Sequence, residues 1–323
     1  MLTLDHIWLV MMLALACDAM IGDPDWLWCK LPHPVVIIGG LIGWLDRSLN
    51  RESWAAGARR AAGVIAVIVL VICGGVVGLL LQRLLQQSWI GLVVLALIAS
   101  TLIAQRSLYQ HVARVRDGFA TGGLAGARRE VSMIVGRDPE QLDEAGVARA
   151  AIESCAENFS DGVVAPVFWL ALGGLPGILI YKAVNTADSM IGHRNARYES
   201  FGWAAARLDD LLNLAPARLS GLLLALSAPL SSGAIGDAWR VMLRDARKHR
   251  SPNAGWPESA MAGALGLALA GPRIYGGAIV DDPFLNAEGR RDARPDDIGR
   301  ALRVMLGGCV LQAGLYALVL WVV

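Results

Sequence analysis

A chain of 323 residues with 55% hydrophobic residues, 18% charged residues and a mean hydropathy of +0.49 is too apolar for a water-soluble globule. A net charge of +1 without a basic domain argues against nucleic acid as a partner. Five cysteines, at positions 17, 29, 73, 155 and 309, form no CxxC pair and indicate neither a disulfide framework nor a zinc site. The composition predicts an all-α, polytopic integral membrane protein with about five to seven apolar segments, some of them re-entrant.

The N-terminal residues lack the basic region of a secretory signal, so the first apolar stretch, residues 4–21, is expected to be retained. Asp18 lies near its end. A carboxylate at membrane depth is costly and faces a cavity or a partner, which marks Asp18 and the Asp23 of Gly22-Asp23-Pro24; the plainer readings are snorkelling and a turn. His33, between Pro32 and Pro34, is expected to fix a loop. Residues 35–45 are apolar but too short to span, and read as re-entrant or buried. Residues 61–81 form a run of 21 without a charge, and 305–323 form another apolar stretch; these are the firmest spans. Weaker spans are expected at 89–104, 163–181, 214–230 and 260–280.

Four polar segments separate the later apolar runs: 105–162, 182–213, 231–259 and 281–304. The first mixes apolar and charged residues at helical spacing. It reads as two or three amphipathic helices with breaks at Gly118, Gly122-Gly123 and Asp138-Pro139, forming a membrane-side insertion at 105–162 in one domain, 1–323. No repeat period and no strand alternation is visible. The basic residues before the 61–81 span, and the seven Arg of 105–162, contrast with the lone Arg83 between them and favour the cytoplasmic side for both basic segments. Simple alternation then places 182–213 on the far side, although it carries the densest polar motifs. Pro166, Gly173-Gly174, Pro176 and Gly177 break the 163–181 segment. It is therefore expected to dip and return, or to line a cavity.

Chemistry is expected in the polar clusters. Glu153, Glu157 and Asp161 stand four residues apart; on a helix they share a face, where they repel by about a few tenths of a kcal/mol per pair unless a cation is shared. A solvated acidic face is the alternative. Further on, Asn185, Asp188 and Ser189 share a helical face and offer the oxygen ligands a hard divalent cation prefers, with Lys182 one turn earlier for a phosphate. Asp209-Asp210 with Asn213 supplies a second carboxylate pair with an amide at i, i+4, again suited to magnesium and phosphate. In 245–258, Arg247, Lys248, His249, Ser251, Asn253 and Glu258 combine cations, a Ser-Pro-Asn turn and a helix start. An anion would dock there. The Asp281-Asp282-Pro283 and Arg290-Arg291 stretch is peripheral.

With these clusters in order, the chain resembles the membrane-bound CobD/CbiB family of cobalamin biosynthesis, the adenosylcobinamide-phosphate synthases. The resemblance rests on Gly22-Asp23-Pro24 with His33-Pro34, residues 153–166, 185–193, 207–213 and 249–258, and runs the length of the chain. It implies amide formation between a propionate carboxylate of adenosylcobyric acid and aminopropanol or its phosphate, with ATP as co-substrate and Mg2+. A multi-pass location in the cell inner membrane follows, with functional loops on the cytoplasmic side. Implied partners are the corrinoid, the amine, lipid, and either further copies of the chain or other enzymes of the pathway.

A carboxylate does not condense with an amine in water at neutral pH, so an acyl phosphate made from ATP would provide the leaving group. Under this resemblance Glu153, Glu157, Asp188, Asp209, Asp210 and Asn213 are the expected metal ligands. Lys182, Asn185, Arg194, Arg207, Arg247, Lys248, Ser251 and Asn253 are the expected nucleotide- and phosphate-binding residues. Glu157, Asp161, His193, His249 and Glu258 are expected to move protons, with His193 or His249 assisting amine deprotonation. No G-x-x-x-x-G-K-[ST] motif occurs, so the nucleotide site is expected to be unconventional. Two alternatives stand beside this reading. An intramembrane, magnesium-dependent prenyltransferase fits poorly, because Gly192 stands one turn after Asp188 where a further Asp would be needed. A non-enzymatic membrane signalling protein of the same fold should lack motifs this dense.

Overall fold

A computed structural model describes residues 4–135, 139–275, 278–280 and 282–322. Asp138 and Asp281, named above, lie outside them. In chain order the helices are α1 (Leu4–Met20), α2 (Asp25–Trp28), α3 (Pro34–Leu49), α4 (Ala56–Leu85), α5 (Trp89–Ser100), α6 (Gln105–Val131), α7 (Glu144–Asn158), α8 (Ala165–Ile191), α9 (Trp203–Leu212), α10 (Leu214–Leu226), α11 (Ile235–Asp245), α12 (Gly255–Leu265) and α13 (Pro295–Val322). A π-helical turn, Phe159–Val164, joins α7 to α8. Among the described residues, four helical stretches are long and apolar enough to cross a membrane: Ala56–Leu85, Trp89–Val131, Glu144–Ile191 and Pro295–Val319. The chain is an all-α polytopic membrane protein, as its composition predicts.

Two of those stretches reverse direction. Gly174 in α8 (φ 62°, ψ −152°) and Gly123 in α6 (φ 58°, ψ −153°) leave the helical region. Positions eight apart on a straight helix are separated by about 12 Å. Yet a Cβ on Gly177 would overlap the Trp169 carbonyl oxygen, and a Cβ on Gly126 would lie 2.6 Å from the Gly118 oxygen. Both helices are hairpins turned on a glycine that accepts positive φ. Residues 163–181 thus dip and return, and they line a cavity of about 280 Å³ bounded by Trp169, Pro176, Ile180, Tyr181 and Leu212.

The helices gather into two compact units. The first comprises Met1–Ala104, Ala165–Asn213 and Tyr316–Val323. Here α4 packs on the α8 hairpin through a small-residue seam: a Cβ on Gly78 would lie 2.6 Å from Pro176 Cα, and one on Gly74 would lie 3.3 Å from the Leu179 and Ile180 backbone. Such closeness lets α4 repair the break in α8. Gln82 Oε1 accepts the Leu175 N–H at 2.8 Å, satisfying a donor that the reversal removes from its helix. In the same unit His33 caps α3: its Nδ1 accepts the Val35 N–H at 3.2 Å, and Pro34 fills the first helical position. The Nδ1 lone pair is therefore used, so Nε2 carries the proton toward Asp23 at 3.2 Å. Asp18 is buried in α1.

The second unit comprises Gln105–Val164 and Leu214–Leu315, with α10 and α11 packed on α12 and the α6 hairpin on α7. The expected span at 260–280 is not formed. Helix α12 stops at Leu265 because Gly266 turns left-handed (φ 67°) and closes the helix end. Short antiparallel pairs follow, β1 (Leu269–Ala270) with β4 (Phe284–Leu285) and β2 (Arg273–Tyr275) with β3 (Ala278–Val280). Strands of two or three residues are too short to leave an alternating pattern.

The Gln82 bond is open to test. Replacing Gln82 with Leu strands the Leu175 N–H in an apolar setting and is expected to lower stability by about 1–3 kcal/mol. Gln87→Leu, at an exposed site where the side chain reaches only the Arg83 carbonyl, is expected to have little effect. Thermal unfolding of both variants in the same detergent checks this.

Candidate functional site

In the first unit the returning arm of α8 and helix α9 meet around one carboxylate. Asp209 is 8% exposed; Asn185 Nδ2 donates to its Oδ1 at 3.1 Å and Asn213 Nδ2 to its Oδ2 at 3.0 Å. Asn213 is aimed in turn by Tyr181, whose hydroxyl donates to its Oδ1 at 3.0 Å. Both Asn213 and Tyr181 are buried. Burial, then the neighbouring Asp188 carboxylate, push the Asp209 carboxyl up to about 7; the two amides pull it down, and Asp210 adds a smaller upward push. Burial raises Asp210 as well, with Arg207 and Arg194 opposing; Arg207 Nη1 lies 3.8 Å from its Oδ2.

Sequence spacing thus brings together Asn185, Asp188, Asp209, Asp210, Asn213, Arg194 and Arg207. Two carboxylates that resist joint ionisation, one of them held by amide N–H groups, make a pair that a hard cation would relieve. Among the described residues no three His, Cys, Asp or Glu side chains form a ready-made cage. Ser189 donates its hydroxyl hydrogen to the Asn185 carbonyl at 3.0 Å. Gly192 is the residue that fits beside Asp188, because a Cβ there would overlap the carboxylate.

His193 and Arg194 are exposed on the loop after α8. Its anchor went unread in the sequence. Buried Asp46 accepts from Arg197 Nη2 at 2.8 Å and from Asn50 Nδ2 at 2.8 Å. Asn50 Oδ1 takes Arg59 Nε at 2.9 Å, and the Arg197 carbonyl is held by Asn50 and Arg59. Within the loop Asn195 Oδ1 accepts the Arg197 and Tyr198 N–H groups at 3.0 and 2.9 Å. The one hint available was Asp46 and Asn50 at i, i+4 on the end of a short apolar segment.

The second unit holds the other expected residues. Glu153, Glu157 and Asp161 do not converge on a cation site: Glu153 is buried with Oε1 accepting the Ala270 N–H at 2.7 Å, whereas Glu157 is exposed. The regular α-helical spacing also ends before Asp161, which sits in the π-helical turn. Asp245, fully buried, takes Arg244 at 3.0 Å, Lys248 Nζ at 2.6 Å and the Asn286 N–H at 2.8 Å. Burial raises its carboxyl, but these bonds outweigh it and hold the group below the usual range. Lys248 is therefore already engaged by an acid.

Beyond it, His249 Nδ1 accepts the Ser251 N–H at 3.0 Å, which leaves the ring proton on Nε2, 3.6 Å from buried Glu258 Oε1. Ser251 Oγ accepts the Asn253 and Ala254 N–H groups at 3.2 Å each. Arg218, which spacing did not mark as a site residue, stacks 4.7 Å from the Trp256 ring and donates to Asn253 Oδ1 at 3.4 Å. Arg247 is exposed.

The model of the CobD/Cbib protein family matches residues 11–305. A "Cobalamin biosynthesis protein CobD" of Sinorhizobium sp is 54% identical over 313 residues, covering 96% of this chain and 97% of the relative. Proteins of the same name from Rhizobium meliloti (strain 1021) and Rhodobacter capsulatus are each 50% identical over 315 residues, covering 97% of this chain and 96% and 98% of theirs. No solved structure matches the chain.

The Asp209 geometry carries a pH signature. An unfolded chain releases this proton near 3.8, the folded protein only near 7, so the folded state binds more protons between those values. Stability from this group is thus greatest at low pH and is lost as pH rises to about 7, flattening above it. In metal-free detergent, Asp209→Asn is expected to remove that part of the slope between about pH 4 and about pH 7 in thermal melts. Equal slopes in the two proteins would contradict the assignment.

Proposed function

The chain belongs to the CobD/Cbib family, and from that premise we propose that it is an amide ligase of cobalamin biosynthesis, an adenosylcobinamide-phosphate synthase. It joins aminopropanol, or its phosphate, to the propionate carboxylate of adenosylcobyric acid. The observation that carries this is the meeting of Asn185, Asp188 and Asn213 on buried Asp209. When bound, ATP would supply the phosphoryl group that makes the carboxylate reactive toward an amine, with magnesium offsetting the phosphate charge.

The chain's own residues do the rest. Asp188 and Asp209 would hold the cation, and Asn185 and Asn213 fix the Asp209 carboxylate through one oxygen each. Asp210 steers Arg207, while Lys182 and Arg194 bind phosphate oxygens. In the second unit Arg247 and Arg218 draw an anion toward Asn253. There the His249 ring, with Nδ1 occupied by the Ser251 N–H, presents Nε2–H to Glu258 and holds that carboxylate in place. A location in the inner membrane with these loops toward the cytosol follows, since the corrinoid and the nucleotide are cytosolic.

Incubating the detergent-purified protein with adenosylcobyric acid, ATP, Mg2+ and aminopropanol phosphate is expected to give the amide product, read by mass. Asp209→Asn is expected to cut turnover by at least about 100-fold while the protein remains inserted and folded. Near wild-type ligation by that variant would remove Asp209 from the site, and no product from the wild type would remove the reaction.

A further inference from the structure

Helix α11 divides its circumference into three sectors. Ala238, Val241, Met242 and Asp245 are buried, and α11 packs on α10 and α12. At about 100° per residue, Ile235, Trp239 and Leu243 line up as the adjacent strip, 42%, 43% and 53% exposed. Asp237, Arg240 and Arg244 fall beyond it. Arg240 bonds Asp237 at 2.9 Å and Arg244 bonds Asp245 at 3.0 Å, so the charged side is ordered along the helix.

Packing within the unit accounts for the first sector and water for the third, but neither accounts for three large apolar side chains in a row facing outward. A lipid–water boundary accounts for all three. Trp239 stands at the centre of the strip, and tryptophan is the residue that favours that boundary. Charge points the same way: residues 235–250 carry Arg240, Arg244, Arg247, Lys248 and Arg250, and although Asp237, Asp245, Glu288 and Asp282 pair with four of them, exposed Arg247 leaves the cations in excess. An excess of cations beside an apolar strip matches an anionic headgroup layer. Leu226 and Leu230, on the segment leading into α11, are also 43% and 53% exposed.

We propose that α11 lies along the membrane surface, with Ile235, Trp239 and Leu243 inserted among anionic lipids and the arginine side in the headgroup layer. The helix thereby holds the Asp245 cluster and the His249–Glu258 segment that follows it at the lipid boundary. This does not depend on the ligase reading.

Spin labels test it on the full chain, in a background lacking Cys17, Cys29 and Cys73. Labels are placed through Ile235→Cys, Trp239→Cys or Leu243→Cys on the strip and Asp237→Cys or Arg240→Cys on the polar side. The protein is reconstituted in nanodiscs of phosphatidylcholine with or without phosphatidylglycerol. Strip labels are expected to collide with oxygen several-fold more, and with a water-soluble nickel complex several-fold less, than polar-side labels. The contrast should grow with phosphatidylglycerol. Equal nickel access on both sides would overturn the proposal, as would dipolar broadening at 239, which would indicate a second copy, or shielding of both sides. If Trp239→Cys does not fold, Ile235→Cys and Leu243→Cys on the same strip give the same reading.

Discussion

Asp209 is a buried carboxylate gripped on both oxygens by amides, with a second carboxylate close enough to raise its proton affinity. The arrangement is costly by itself, since burial and like charge both disfavour ionisation. Its hydrogen bonds are built from residues 28 positions apart in sequence, Asn185 on one helix and Asn213 at the end of another. The fold of the first unit has to bring those two helices together, and much of its design serves that end.

The returning arm of α8 reaches α9 because the chain reverses at Gly174. Reversal at membrane depth exposes backbone donors, and Gln82 covers one of them from α4. Gln82 can do so only because α4 approaches closely, through Gly74 and Gly78. Glycine seam, amide cap, hairpin and carboxylate therefore form one causal sequence. Tyr181 extends it, since it borders the cavity of the hairpin and also aims Asn213.

Much of this was legible in the sequence, and the reason differs by residue. Long uncharged runs announced α4 and α13, and the clustered Gly and Pro of 163–181 announced a reversal. The carboxylates and amides of 185–213 were legible as a group because helical spacing put them on shared faces. The acidic trio at 153–161 misled, because spacing cannot show that Glu153 serves a backbone N–H 117 residues away. Gln82 and the Asp46–Asn50–Arg59–Arg197 network were hidden for the same reason: each acts through a contact distant in sequence. The short strands after Gly266 carried too few residues to display a period.

The central claim is that Asp188 and Asp209 form a cation site. Titrating Mn2+, as a spectroscopic substitute for magnesium, into the nanodisc-held protein and following free Mn2+ by electron paramagnetic resonance tests this without requiring turnover. The account predicts a site in the wild type that tightens with ATP and is lost in Asp188→Asn and in Asp209→Asn. Unchanged Mn2+ binding in both variants would contradict it.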